Sequence, residues 1–299
     1  MSHKSIKRRD NVAGYLFALP AILGFLLFVA GPMAASLFFS LTEYTGFTPP
    51  TFIGTENYKT LFSGENIYFY NSLKVTGWYV ILAVPSSLIL SLAIAMALSL
   101  NIKGRALFRT IFYLPSIVPV IASSAIFIWM FNPEYGLLNV VLKSVGLPGL
   151  KWIYARETAV PSIAFMHLWS IGQQMVIFLA GINNIPRQYY EALEVDGGGW
   201  RHKFFNITLP MLTPTIFFNL VMQLIQQFQV FTQGYIMTEG GPNNATHFYS
   251  LYLYQEAFKN FRMGRASALA WVLFIIVGIL SLTLFKSSKN WVYYEGGDS

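Results

Sequence analysis

Two sets of polar side chains sit where polar side chains are costly. His167, Ser170 and Gln174 recur at i, i+3 and i+7 inside one apolar stretch. Asn219, Gln223, Gln226 and Gln227 recur at i, i+4, i+7 and i+8 inside another. Each spacing marks one face of a helix. A carboxamide donates and accepts at once, so such faces suit an uncharged, hydroxyl-rich solute. The same residue types also hold neighbouring helices together, and both readings stay open at this level. No Asp or Glu lies in these stretches, which removes a carboxylate pair for glycoside hydrolysis and argues against a cation-coupled carrier. The chain has no cysteine, so thiolate metal sites and disulfides are excluded. No nucleophile constellation or metal-ligand cluster is visible, so no catalytic residue and no metal site is expected.

The elements that carry these faces follow from where charge is absent. Only 11% of the 299 residues are charged and 55% are hydrophobic, against roughly 25% charged in an average soluble domain. Six stretches lack Asp, Glu, Lys and Arg altogether: 11–42, 75–102, 110–133, 158–186, 204–238 and 266–285. A helix needs about 20 residues to cross a ~30 Å hydrocarbon core. The fold class expected is an all-α membrane protein with six transmembrane helices, in one continuous membrane domain over residues 1–299. The first stretch is longer than a signal-peptide core and reads as an uncleaved helix. An even number of spans puts both termini on one side. If that side is the cytoplasm, twelve of the twenty basic residues lie inside with six of the thirteen acidic ones. Lys and Arg bias sets orientation, so both termini are expected to be cytoplasmic. The net charge of +7 then reflects membrane topology and no nucleic-acid partner.

Between the fourth and fifth stretches the pattern changes to short amphipathic segments. A helix over 187–196 would be stopped by Gly197, Gly198 and Gly199, since glycine caps helix C-termini. A second helix over 200–208 places Trp200, Phe204 and Ile207 on one face, and Leu209-Pro210 would end it and open the fifth span. Such a loop either rests on headgroups or docks a soluble partner. The outer segment 43–71, with Pro, Gly and Asn, reads as irregular turns with little helix.

This loop carries a resemblance. Glu191-Ala192-Leu193-Glu194-Val195-Asp196-Gly197, followed by Ile207-Thr208-Leu209-Pro210, resembles the Glu-Ala-Ala…Gly…Ile-x-Leu-Pro signature of ABC importer permeases. Leu193 departs from the second Ala. Gly240-Gly241-Pro242 and Gly264-x-Ala266-Ser267-Ala268 are similar to the carbohydrate branch, the maltose-type and glycerol-phosphate-type permeases. The likeness runs from about residue 15 to 285, with a permease core over about 70–285.

The resemblance implies a multi-pass subunit of a bacterial inner membrane, in contact with lipid, that pairs with a second homologous permease. Two ATP-binding cassette ATPase subunits and an extracellular or periplasmic solute-binding protein complete the machine. Glu191, Ala192, Asp196, Gly197, Leu209 and Pro210 would then couple the chain to the ATPase. His167, Ser170, Gln174, Gln223, Gln226 and Gln227 would fall at or near sugar-lining positions. The solute implied is a sugar or oligosaccharide, with a polyol or a glycerol-phosphate as the alternative, and a self-sufficient carrier as a different class. No phosphate loop of the form G-x-x-x-x-G-K-[ST] occurs in the chain, so the chain itself has no cofactor and partner subunits bind ATP and magnesium. Purified alone, the chain is expected to hydrolyse no ATP, and specific hydrolysis at micromolar Michaelis constant would contradict this.

Overall fold

Apolar runs fold into helices because hydrocarbon offers no partner to a free N–H or C=O. The computed structural model describes residues 3–64 and 66–293, with side chains from Gly14 onward. The side chains of Lys4, Lys7, Arg8 and Arg9, and residues 294–299, enter the orientation argument but lie outside what is described. The helices are α1 His3–Phe25, α2 Gly31–Ser40, α3 Glu56–Phe62, α4 Ile67–Ser99, α5 Arg105–Tyr113, α6 Val120–Met130 and α7 Leu137–Ser144. They continue as α8 Arg156–His167, α9 Gly172–Asn183, α10 Arg187–Val195, α11 Trp200–His202, α12 Leu209–Phe228, α13 Tyr249–Tyr254 and α14 Met263–Ser288.

Four helical segments are long and apolar enough to cross a membrane: Gly14–Ser40, Ile67–Ser99, Trp200–Phe228 and Met263–Ser288. Two further pairs pass the same test but are bent, by 98° between Arg105–Ile117 and Val120–Met130 and by 51° between Arg156–Ser170 and Gly172–Asn183. Counting each bent pair as one span gives six.

The first break follows from proline. Pro119 disfavours the helical region for the residue before it, and Val118 is extended at φ −67°, ψ 129°. The second break has no proline at its apex: a 3₁₀ turn over Leu168–Ser170 leads through Ile171 to Gly172. A Cβ on Gly172 would lie 2.5 Å from the Phe112 carbonyl oxygen and 2.7 Å from Tyr113 Cα. Glycine there lets the backbones of the two bent pairs touch.

The contacts group the chain into two units. The first comprises residues up to 66 with Leu253–Phe274. In it a two-residue hairpin pairs Thr42 with Phe52 and Glu43 with Thr51. α3 clamps the end of α2 through Asn57 Nδ2, which donates to the Ser40 and Thr42 carbonyls at 2.9 Å each. The segment 43–71 is therefore more regular than its turn-rich composition suggests, because one carboxamide donates to two backbone acceptors at once. Here too the buried Glu256 lies 3.7 Å from Arg262 and 3.6 Å from Arg265.

The second unit comprises Ile67–Tyr252 and residues from 275 on. Its core joins α4 to α9 through Ala95, Leu98, Met175, Phe178 and Leu179, with Ile216 of α12 packed against them. One expectation fails here: Leu209-Pro210 does not end a helix. α11 passes through a π-helical stretch, Lys203–Thr208, straight into α12. The wider π turn relieves the clash of the proline ring with the preceding carbonyls that an α-helix would impose.

Gly172→Ala should destabilise the fold by about 1–3 kcal/mol, the usual cost of overpacking, since backbone must move to admit one methyl. A thermal melt of the purified subunit checks this, and an unchanged midpoint would show that the close approach is not needed.

Candidate functional site

Both breaks contribute to one polar cavity of about 310 Å³. Four of the expected residues line it: His167 and Ser170 at the second break, Gln174 on α9 and Gln226 on α12. Four more polar residues line it that helical periodicity does not mark. Ser116 and Ser123 flank the first break, Gln173 precedes Gln174, and Gln233 lies beyond the end of α12. Ser116 and Ser123 are seven apart in the third uncharged stretch, a signal too sparse to stand out without the bend. No charged side chain lines the cavity among the described residues, and no group of three His, Cys, Asp or Glu is placed to hold a metal there or elsewhere among them.

Gln174 is buried, with 8% exposure, and its Oε1 has no hydrogen-bond partner among the described residues. An unpaired buried acceptor costs free energy. Gln174 as a residue lines the cavity, while this oxygen itself is shielded from solvent.

The other two carboxamides point elsewhere. Gln223 and Gln227 are 2% and 7% exposed and form a chain between helices. The Tyr79 hydroxyl of α4 donates to Gln227 Oε1 at 2.9 Å. Gln227 Nε2 donates to Gln223 Oε1 at 3.0 Å, and the same oxygen lies 3.2 Å from His167 Nε2. Asn219 turns back on its own helix, donating to the Thr215 carbonyl at 3.1 Å. Of the four polar residues on the α12 face, then, only Gln226 meets the cavity.

The loop between α9 and α12 is a second feature. α10 ends at Asp196, its C-cap. Gly197 follows at φ +77°, donating to the Glu194 carbonyl at 3.0 Å while Gly198 donates to that of Leu193 at 2.8 Å. These two bonds make a Schellman cap, and the left-handed φ is what requires glycine. Glu191, Ala192 and Asp196 are exposed, and Val195 is 88% exposed. α10 is also tied back to the base of α12. The Tyr190 and Thr208 hydroxyls are hydrogen-bonded at 3.0 Å, and Lys203 pairs with Glu194. Leu209 and Pro210 begin α12 directly above this tie.

Helices built for an apolar phase, a polar cavity at the points where two of them break, and an exposed elbow bound to one of them define a membrane-embedded transport subunit. Residues 89–287 match the family described as binding-protein-dependent transport system inner membrane component, and the chain belongs to that family. It is 48% identical to the Probable ABC transporter permease protein YesP of Bacillus subtilis (strain 168), over 96% of this chain and 94% of that one. It is 33% identical to the Multiple sugar-binding transport system permease protein MsmF of Streptococcus mutans, over 93% and 95% of the two chains. Among solved structures it resembles a bacterial ABC transporter involved in the import of the acidic polysaccharide alginate. That match has a TM-score of 0.76 and 26% identity, over 96% of this chain and 97% of the other. The chain is thus an ABC transporter permease.

The tie between α10 and α12 gives an expectation of its own. Tyr190→Phe with Lys203→Met removes one hydrogen bond and one ion pair, and a hydrogen bond contributes about 0.5–1.5 kcal/mol net. Backbone amides of α10 should exchange with deuterium roughly two- to tenfold faster, on the same scale, with α12 unaffected. Equal exchange in α10 would show that the tie does not hold the elbow.

Proposed function

We propose that the chain forms half of the translocation path of an ATP-driven importer, and that its solute is a neutral sugar or oligosaccharide handed over by an external solute-binding protein. The observation that carries the reading is the cavity at the two helix breaks, lined by the uncharged polar residues Ser116, Ser123, His167, Ser170, Gln174 and Gln226. Discontinuous helices place irregular backbone where it can line a solute site. The sugar named for the relative MsmF agrees with this chemistry.

The remaining parts of the reading follow from the chain's own features. The basic bias of the inside loops supports cytoplasmic termini in a bacterial inner membrane. The elbow of Glu191, Ala192, Asp196 and Gly197 then faces the cytoplasm, where it serves as the coupling helix of an ATPase pair. A second, homologous permease completes the path, and ATP and magnesium are bound by the ATPases. The whole chain acts as one permease domain. A polyol fits the cavity chemistry as well as a sugar does. A glycerol-phosphate or an acidic saccharide would ask for a cation, and Arg262 and Arg265 both lie against the buried Glu256. A self-sufficient carrier would need a coupling carboxylate, and none lines the cavity among the described residues.

The test is uptake of a panel of radiolabelled neutral oligosaccharides into proteoliposomes holding the complete complex. Gln174→Met with Gln226→Leu should raise the Michaelis constant or slow uptake by roughly two- to tenfold per lost hydrogen bond, without lowering the melting temperature, since neither carboxamide supports a neighbour. Unchanged uptake of every sugar that the wild type carries would place the path outside this cavity.

A further inference from the structure

Tyr79 is completely buried and does not line the cavity, yet it stands at the head of the hydrogen-bond chain that ends on a residue that does. Its hydroxyl has one partner, Gln227 Oε1 at 2.9 Å. A buried hydroxyl with a single partner must donate to it, because accepting instead would strand its own hydrogen. That fixes the direction of everything downstream. Gln227 must turn its oxygen to Tyr79 and its Nε2 to Gln223. Gln223 must therefore present oxygen, which it does at 3.0 Å. The same Oε1 meets His167 Nε2 at 3.2 Å, so that nitrogen must carry a proton, and the two incoming N–H groups fill both lone pairs of the oxygen. The other ring nitrogen of His167, Nδ1, makes no hydrogen bond among the described residues.

We infer that Tyr79 is a positioning residue: through Gln227 and Gln223 it holds His167 as the Nε2-protonated tautomer, leaving Nδ1 as an acceptor on the cavity wall. The inference rests on the reading of the cavity as the solute path. It gives that wall an acceptor with nothing to accept, Nδ1 on α8, and so a preference for ligands that bring hydroxyl donors. Run in the opposite sense, the chain would leave Nδ1 protonated and the wall a donor.

The tautomer can be read directly by nitrogen NMR of the full complex in lipid nanodiscs, with ¹⁵N-histidine in this subunit and no solute present. The His167 signal is identified by its loss in His167→Asn. Wild type should show Nε2 protonated and Nδ1 bare. Tyr79→Phe and, separately, Gln227→Met should give a mixed or inverted tautomer, since the carboxamides are then free to turn over. A wild type protonated at Nδ1, a doubly protonated ring at neutral pH, or variants that both keep the wild-type signal would each overturn the inference. The wild-type spectrum decides even if a variant fails to assemble. Because no solute enters this experiment, its failure is distinct from a failure of the cavity as the path, which the uptake of the Gln174→Met, Gln226→Leu variant decides.

Discussion

Everything in this fold answers to one constraint: in hydrocarbon, backbone that leaves the helix must be buried in protein or face a wet cavity. Two of the apolar stretches do leave the helix, at Val118-Pro119 and at Leu168–Ser170. Neither break could stand against lipid. Gly172 lets the second break pack against the backbone at the end of α5, ahead of the first break, and residues of both breaks line the polar cavity. The cavity is thus less a pocket added to a bundle than the place where the backbone's own polar groups require water or its equivalent.

The α12 segment shows how local polarity becomes mechanical linkage. From Trp200 to Phe228 the chain is one helical body of 29 residues, roughly 43 Å long at 1.5 Å per residue. Its base is bonded to α10 by Tyr190 and Lys203, and its far end carries both Gln226 on the cavity and Gln223 beneath His167. A rigid element of this kind transmits a displacement at one end to the other with little loss. The π-helical stretch at its base is what allows Pro210 to sit in the line without severing it.

The sequence shows some of this plainly and hides the rest for physical reasons. Absence of charge located every apolar segment, because a charge in hydrocarbon is costly wherever it lies. The glycine stop after α10 was also legible, since Gly197 occupies a conformation that few other residues tolerate. The first bend was half legible: Pro119 announces an interruption, but its 98° size depends on what packs against it. Periodicity put Asn219, Gln223, Gln226 and Gln227 on one face, and it could not separate them. That separation depends on Tyr79, nearly 150 residues away in sequence, whose hydroxyl claims Gln227 and leaves Gln226 to the cavity. The second break was invisible because a short 3₁₀ turn of Leu, Trp and Ser, with glycine two residues beyond it, has no strong compositional mark.

The elbow after α9 carries a further consequence. Val195 is 88% exposed and Trp200 71%, on a short segment that also displays Glu191 and Asp196 and so cannot sink into lipid. Apolar side chains displayed in this way adhere to whatever surface arrives first. In the isolated chain these two side chains put apolar surface in water beside the charged residues of the same elbow, which makes this segment a point where aggregation can begin.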